Sequence, residues 1–461
     1  MFLKSNITSE RILSGSIHST LLAMSIPTIV ALSLNAAFSF IDRLYIAGVG
    51  ELQFAALGMA FIIQSIIIAV ASGIAAGIST CLAKAIGASD KQACNDFARS
   101  AVLLFIIASV LTAVIGIISL PLQVSVMGIS EVIGNHYKVY LMIIFLGSFS
   151  IYAPLIFNSI LRAEGNMTIP MHVMVVGALA NLILDPILIF GFASIPAMGI
   201  EGAAIATIIA RTLATIWVIR AVCKHSKHVT IFKSLFRVKQ LLSFETNFRQ
   251  VLKKIISISL PISLSSMLTP IVLGAYYAML TPYGDEAKVV LTMGLSYMML
   301  LMFPVMGFSR SVNTMCAQNI GANNHVRSSQ IYKKALTMSF LFVAVFSCLF
   351  VYYNDFFIGV FMRSAEGSEY MKFAILCFAI SYPLNAVFSI QVTYLISHSL
   401  SKQVLLINVL VILYCLLAYT LQMFLGERGV WFGLLLGTVL SVVHCFFTIH
   451  FCIVKKQNEA Q

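Results

Sequence analysis

The chain has 461 residues and a net charge of +12, with 60% apolar residues and only 10% Asp, Glu, Lys or Arg. Soluble domains are about 45–50% apolar and about 25% charged, so this composition argues against a soluble enzyme, a disordered protein or a nucleic-acid-binding protein. The apolar residues form long runs without a period of two, which argues against a transmembrane β-barrel. We therefore expect a helical protein embedded in a bilayer.

Twelve apolar runs follow one another along the chain, and each is long enough to predict a helix across the hydrocarbon core. The runs cover residues 20–47, 54–82, 100–121, 139–161, 170–192, 199–222, 255–281, 289–317, 335–353, 373–397, 404–425 and 430–454. The predicted fold is an all-α integral membrane protein with twelve transmembrane helices. The predicted division is an N-terminal lobe at 1–225, a basic linker at 226–250 and a C-terminal lobe at 251–461.

The basic residues lie between the apolar runs and form no stripe of their own. With a cytoplasmic N-terminus, about 21 of the 29 Lys and Arg residues face the cytoplasm and about five face outside. The positive-inside rule therefore favours cytoplasmic termini. The largest basic loop lies between runs six and seven and would rest on anionic lipid; it holds Lys224, Lys227, Lys233, Arg237, Lys239, Arg249, Lys253 and Lys254.

Several common motifs are missing from the sequence. The nine Cys residues form no CxxC pair, so we interpret them as small apolar helix residues and expect no disulfide or zinc framework. No A-x-A-like site follows the first apolar run, so a cleaved signal peptide is not expected. There is no P-loop, no GxGxxG fingerprint and no metal-spaced His pair. We therefore expect neither an ATP-driven pump nor a bound cofactor.

The two halves of the chain resemble each other. Gly73–Ala88 and Gly307–Ala322 share Gly, Thr, Ala, Ile, Gly and Ala at an offset of 234 residues, and Pro27 and Pro261 share the same offset. Because each half has an even number of spans, the repeats enter the membrane in the same orientation. Duplicated halves of this kind are typical of secondary transporters.

Two acidic residues, Asp42 and Asp185, lie well inside predicted spans of the first half. Ionisable groups in a span are costly, so each indicates a functional site. Asn181 precedes Asp185 by four residues and shares its helix face. Pro186 then removes a backbone hydrogen bond near Asn181.

Thr207 lies at a similar predicted depth, and all three of Asp42, Asp185 and Thr207 fall roughly 12–14 Å below the outer surface. With Asn181, these side chains could form an oxygen-rich cation site, with Na⁺ as one candidate, or a carboxylate pair that shares a proton. The alternative is packing alone, with Asp42 beside Arg43 and Thr207 bonded to its own helix.

The spans of the second half carry no acidic residue in their interiors. Spans seven and ten instead hold polar and aromatic residues that form a candidate substrate cavity: Tyr277, Tyr382, Gln391 and Tyr394, with Tyr276 beside them. Arg310 in span eight has no acidic neighbour in sequence and is expected to snorkel toward the cytoplasmic end. The 21 Met and 33 Phe residues suit promiscuous binding of apolar cations, although such residues also fill lipid-facing helices.

A set of motifs runs in order through nearly the whole chain: Ser25–Pro27, Phe40–Arg43, Ala47–Gly48, Gly87–Ala88, Arg162–Asn166, Asn181–Pro186, Met198–Thr207 and Gln318–Ala322. In these stretches the chain resembles the multidrug and toxic compound extrusion (MATE) transporters of the larger flippase superfamily. The family's other branch has acidic residues in spans seven and ten. This sequence lacks them and in that respect resembles the DinF-type branch, which includes the MepA-like exporters.

The resemblance implies two six-helix lobes in a V that open alternately to each side. It implies a secondary-active multidrug efflux antiporter that exports organic cations, such as drugs and dyes, in exchange for H⁺ or Na⁺. Asp42, Asn181, Asp185 and Thr207 match the family's ion-coupling positions, and Pro27 matches a proline linked to bending of the first span. The resemblance further implies a monomer in a bacterial inner membrane.

Two other functions remain open on the sequence. One is a flippase for lipid-linked precursors, which a cationic, water-filled cavity would favour. The other is a membrane scaffold without transport activity, in which paired intramembrane acids would have no purpose.

Overall fold

The structure is a computed structural model, and it describes residues 7–128, 130–229, 248–354, 356 and 368–454. These residues are almost entirely helical. The helices are α1 (Ser9–Ser14), α2 (Ile17–Ala47), α3 (Glu51–Gly87), α4 (Lys91–Val126), α5 (Glu131–Leu146), α6 (Phe149–Ala163), α7 (Thr168–Phe190), α8 (Gly199–His225), α9 (Phe248–Leu280), α10 (Gly284–Gly321), α11 (His325–Tyr352), α12 (Ser368–Ser397), α13 (Ser401–Leu425) and α14 (Glu427–Ile449).

The described helices account for the twelve predicted crossings. Helices α5 and α6 meet at a bend of 42° and together form the fourth crossing. The apolar stretch Arg249–Gly321 contains two helices, α9 and α10, which a short 3₁₀ turn at Thr281–Tyr283 separates. The prediction of an all-α membrane protein with twelve spans is therefore confirmed.

Several helices extend well beyond the apolar runs because capping residues, rather than the apolar boundary, set where they begin. Asp90 accepts a hydrogen bond from the Ala93 backbone N–H at 2.9 Å and begins α4. Asn324 accepts one from the Arg327 N–H at 3.2 Å and begins α11. Such N-caps satisfy a backbone donor that has no partner within the helix.

The internal repeat is visible in these same turns. Asp90 and Asn324 are equivalent at the offset of 234 residues, and both cap a helix. The residues before them, Ser89 and Asn323, both have φ of +57°. The two halves therefore share backbone conformation as well as sequence at this turn.

The described residues form two compact units whose boundaries differ from the predicted lobes. The first unit comprises the described parts of Met1–Ser9 and Ile26–Ser263, and the second comprises Glu10–Ser25 and the described parts of Leu264–Gln461. The N-terminal half of α2 thus belongs to the second unit, and the N-terminal half of α9 belongs to the first. Each of these two helices changes unit within three residues of its repeat-related proline, Pro27 or Pro261.

Close backbone packing explains why the start of α9 belongs to the first unit. A Cβ added at Gly73 of α3 would lie 2.7 Å from the Ser263 backbone nitrogen and 2.8 Å from the Ser259 carbonyl oxygen. The Ser263 hydroxyl also donates to the Val70 carbonyl at 3.3 Å. Gly73 and Gly77 form a small-xxx-small pair of the kind that lets membrane helices approach closely.

The start of α2 is held in the second unit by an equivalent contact. The Ser25 hydroxyl donates to the Ser311 hydroxyl at 3.0 Å, and both are buried. At the offset of 234 residues, Ser25 corresponds to Ser259 and Ser311 to Gly77. Arg327 adds hydrogen bonds to the carbonyls of Ile12 and Gly15 around α1.

We predict that Gly73→Ala destabilises the protein, whereas Gly58→Ala does not. Gly58 lies in the same helix with nothing within 4 Å of its added Cβ, so alanine there should be neutral or stabilise by about 0.5–1 kcal/mol. At Gly73 the backbone of α9 must move, at a cost of about 1–3 kcal/mol. Thermal unfolding of both variants in detergent should show a lower midpoint for Gly73→Ala alone, and equal midpoints would contradict the packing argument.

Candidate functional site

The site predicted in the first half is built on the α7–α8 hairpin. Gly191 and Gly199 take positive φ values of +82° and +56° in the connecting turn, which glycine adopts without strain. The Met198 N–H donates to the Leu188 carbonyl at 3.0 Å. A Cβ on Gly202 would lie 2.2 Å from that same carbonyl oxygen, so the two helices approach as closely as glycine allows.

Asn181 and Asp185 lie one turn apart on α7 and contact each other, as their spacing predicts. The Asn181 Nδ2 donates to Asp185 Oδ2 at 2.5 Å. The Asp185 side chain is buried at 2% exposure, whereas Asn181 is half-buried. Burial in a span disfavours an isolated charged carboxylate, so the contact with Asn181 helps to stabilise Asp185 there.

Thr207 is half-buried on α8, and its hydroxyl donates to the Ala203 carbonyl at 2.9 Å. This bond to its own helix is the packing role that threonine commonly has in a span. It uses the hydroxyl proton and leaves the oxygen lone pairs available to a cation. Both roles are therefore compatible with the geometry at Thr207.

Asp42 lies in α2, and its side chain is outside the described residues. The position of Asp42 relative to α7 and α8 follows from Tyr45, one turn later in α2. Tyr45 packs on a small apolar cluster formed by Ile189 of α7 and Ala203 of α8. Tyr45 also makes an edge contact with Phe190 at 6.3 Å between ring centroids.

Asp42, Asp185 and Thr207 each lie about one helical turn from a residue that forms or contacts this cluster. Asp42 precedes Tyr45 by three residues, Asp185 precedes Ile189 by four, and Thr207 follows Ala203 by four. Successive spans alternate in direction, so each of these steps runs the same way across the membrane. The backbone therefore brings the three positions to one level within the first unit, where carboxylate, amide and hydroxyl oxygens suit a hard cation.

A sequence model of the MatE family matches residues 27–187 and 261–420. The chain belongs to the MatE family. The two matches begin at Pro27 and Pro261, so the family model independently detects the internal duplication.

Individual relatives extend this result. The chain is similar to a FAD transporter of Shewanella oneidensis, at 29% identity over 95% of each chain. It is also similar to the multidrug export protein MepA of Staphylococcus aureus, at 24% identity over 80% of this chain and 79% of MepA. The fold matches an outward-facing structure of a multidrug resistance MATE family transporter, with a TM-score of 0.88, 22% identity and coverage of 99% and 100%.

This MatE protein is an integral membrane transporter of small molecules and not an enzyme. The described residues also contain no group of three or more His, Cys, Asp or Glu side chains that could hold a metal ion. A hard alkali cation bound by a few oxygens would not require such a group.

In the second unit, the predicted cavity residues have very different surroundings. Tyr382 is completely buried and donates to the Gly294 carbonyl at 2.9 Å. Tyr394 is 2% exposed and stacks on Tyr332 at 4.4 Å. Gln391 is also 2% exposed, whereas Tyr277 is half-buried and its hydroxyl lies 2.9 Å from Thr292 Oγ1. Of the four, only Tyr277 has substantial access to solvent.

Glu164 belongs to the motif Arg162–Asn166, and its structural role is not predictable from that motif. Glu164 is buried and accepts hydrogen bonds from the Ser226 hydroxyl at 2.6 Å and from the His228 N–H at 2.9 Å. The Lys227 N–H also donates to it, at 3.1 Å. One carboxylate therefore anchors the residues that follow α8. Its position between the end of α6 and Gly165 gave no signal of this role.

A cavity of about 240 Å³ opens beside this anchor. Besides Glu164, it is lined by side chains from three parts of the first unit: Ile7, Thr8, Ser9, Asn166, His225, Lys227 and His228. His228 Nε2 lies 3.3 Å from Ser9 Oγ. Glu164 thus joins the end of α6 to the residues after α8, and His228 links those residues to Ser9.

We predict that Glu164→Gln loosens this anchor, because an amide has one acceptor oxygen and its NH₂ group faces N–H donors. Hydrogen bonds to a charged group contribute about 1.5–3 kcal/mol, so local opening should rise about tenfold or more. Timed trypsin digestion should show faster cleavage after Lys227. Glu201→Gln is the matched control, because Glu201 is exposed at the start of α8; equal cleavage rates in both variants would argue against the anchor.

Proposed function

We propose that this MatE protein is a secondary-active exporter that couples inward movement of H⁺ or Na⁺ to outward movement of a small organic solute. The observation that carries the proposal is the common level of Asp42, Asp185 and Thr207 in the first unit, with Asn181 one turn from Asp185. The contact between Asn181 and the buried Asp185 supports it, because intramembrane carboxylates are costly unless they serve binding.

In the proposed cycle, the outward-facing protein takes up the ion at Asp42 and Asp185. Ion binding neutralises the carboxylates and changes the packing of α2 near Pro27. Pro27 leaves the helical backbone without one hydrogen bond, and α2 changes unit beside it, which supports a conformational role. The solute is then released outside. Ion and solute must weaken each other's binding reciprocally.

Two solute classes are candidates. Organic cations are the first, because MepA is named a multidrug export protein and Met- and Phe-rich spans suit such ligands. An anionic flavin nucleotide is the second, because the similar Shewanella protein is named a FAD transporter. We further propose that the protein acts as a monomer in a bacterial inner membrane with both termini in the cytoplasm.

Transport into proteoliposomes tests the coupling. We predict that a pH gradient or a Na⁺ gradient, imposed separately, drives movement of ethidium or FAD by the wild type. Asp42→Asn and Asp185→Asn should each reduce gradient-driven transport about tenfold or more. The neutral amide of asparagine carries no negative charge that a bound Na⁺ or H⁺ could neutralise.

Asp285→Asn is the control, since Asp285 is an exposed carboxylate paired with Lys288. It should transport like the wild type. Gradient-driven transport that persists in both Asp42→Asn and Asp185→Asn would refute the coupling site. Movement of a labelled lipid-linked precursor, with neither gradient required, would favour the flippase instead.

A further inference from the structure

Helix α10 in the second unit has one packed face and an accessible face opposite to it. Leu301, Val305, Phe308 and Val312 are buried on the packed face. At 3.6 residues per turn, the opposite face carries exposed or half-buried side chains of mixed chemistry: Thr292, Ser296, Met299, Phe303, Met306 and Arg310. We refer to these six residues as the α10 stripe.

Arg310 lies at the closed end of the α10 stripe. One turn before it, Met306 is 42% exposed, whereas Thr314 and Ala317, just after it, are completely buried. At the other end of the stripe, Thr292 lies beside the half-buried Tyr277. The stripe therefore leads from hydroxyl groups, over thioether and aromatic side chains, to a guanidinium group.

Arg310 has no carboxylate partner in the described part of the chain. The ion pairs Arg99–Asp96 and Lys288–Asp285 among the described residues do not involve it. The acidic residues of α10, Asp285 and Glu286, lie in its first turn, about 36 Å from Arg310 along the helix axis. Other helices of this unit also carry acids only in their first turns, as at Glu427. The guanidinium thus lacks the counterion that a buried cation normally has.

Neither lipid contact nor snorkelling accounts for this arrangement. A guanidinium in hydrocarbon costs about 2.5 kcal/mol or more. The end of α10 at Gly321 lies about 16 Å beyond Arg310, farther than an arginine side chain reaches, and the intervening turns are buried. The turns of α10 beyond Arg310 thus offer its side chain no exposed path along the helix to that end.

We propose that the α10 stripe binds the transported solute, and that this solute carries a phosphate or pyrophosphate group and a planar aromatic ring. The anionic group binds the Arg310 guanidinium, whose planar fork suits phosphate oxygens. The ring packs on Phe303 and Met306, since thioether and aromatic surfaces accommodate flat rings. The anion itself supplies the counterion that Arg310 lacks.

This inference rests on the proposed export function and selects between its two solute classes. It favours a dinucleotide of the flavin type over an organic cation, because a cation would be repelled by Arg310. The name of the Shewanella relative agrees with this class independently of the geometry. A lipid-linked pyrophosphate shares the anionic group, so the test includes a prenyl pyrophosphate.

Equilibrium binding to the full-length protein in detergent tests the proposal without any ion gradient. FAD is compared with riboflavin, which has the same ring but no phosphate, and with ethidium. We expect the wild type to bind FAD at least tenfold more tightly than riboflavin. Arg310→Gln should reduce FAD binding to the riboflavin level and leave riboflavin binding unchanged. Arg310→Lys should fall between the two, because lysine keeps the charge but not the bidentate geometry.

Lys288→Gln is the matched control, since it removes a cation from the same helix roughly 33 Å from Arg310 along the axis, and it should bind FAD like the wild type. If Arg310→Gln does not fold, wild type and Arg310→Lys are compared instead. FAD should raise the melting temperature less in Arg310→Lys than in the wild type, and FAD binding should weaken with added salt. Tighter binding of ethidium or of farnesyl pyrophosphate than FAD would overturn the proposal, as would unchanged FAD affinity in the arginine variant. None of these outcomes bears on ion coupling, which the gradient experiment tests separately.

Discussion

The structure depends on one constraint: inside a bilayer no water satisfies backbone N–H and C=O groups, so each span must satisfy them within its own helix. This constraint accounts for the helical structure of the described spans and makes each interruption in them informative. Pro27 and Pro261 each remove a backbone hydrogen bond at equivalent points of the two halves. The two helices that carry them, α2 and α9, are the helices that divide between units.

The same constraint makes polar side chains costly and therefore diagnostic. In the first unit the acidic residue Asp185 is buried beside Asn181. In the second unit the cation Arg310 lies at the end of a stripe of hydroxyl, thioether and aromatic side chains. This difference fits the proposal that one half of the protein handles a cation and the other an anionic solute.

Sequence reasoning succeeded where the chemistry is local. The four-residue spacing of Asn181 and Asp185 predicts their contact because helix geometry alone decides it. The sequence was less informative for Tyr382 and Tyr394. The same apolar pattern surrounds a tyrosine that lines a cavity and one that packs in a core, and both of these are buried. Glu164 gave no signal either, because its partners follow α8, some 60 residues later in the chain.

The class of protein, the twelve spans, the duplication and the acidic positions could be predicted from the sequence, because composition and the length of apolar runs follow directly from the bilayer as solvent. Which helix halves pack together and which polar side chains remain accessible became known from the fold. Gly73 and Ser263 are separated by a long stretch of chain, and their close contact depends on backbone shape. Likewise, Arg310 differs from a snorkelling arginine only because the turns beyond it are buried.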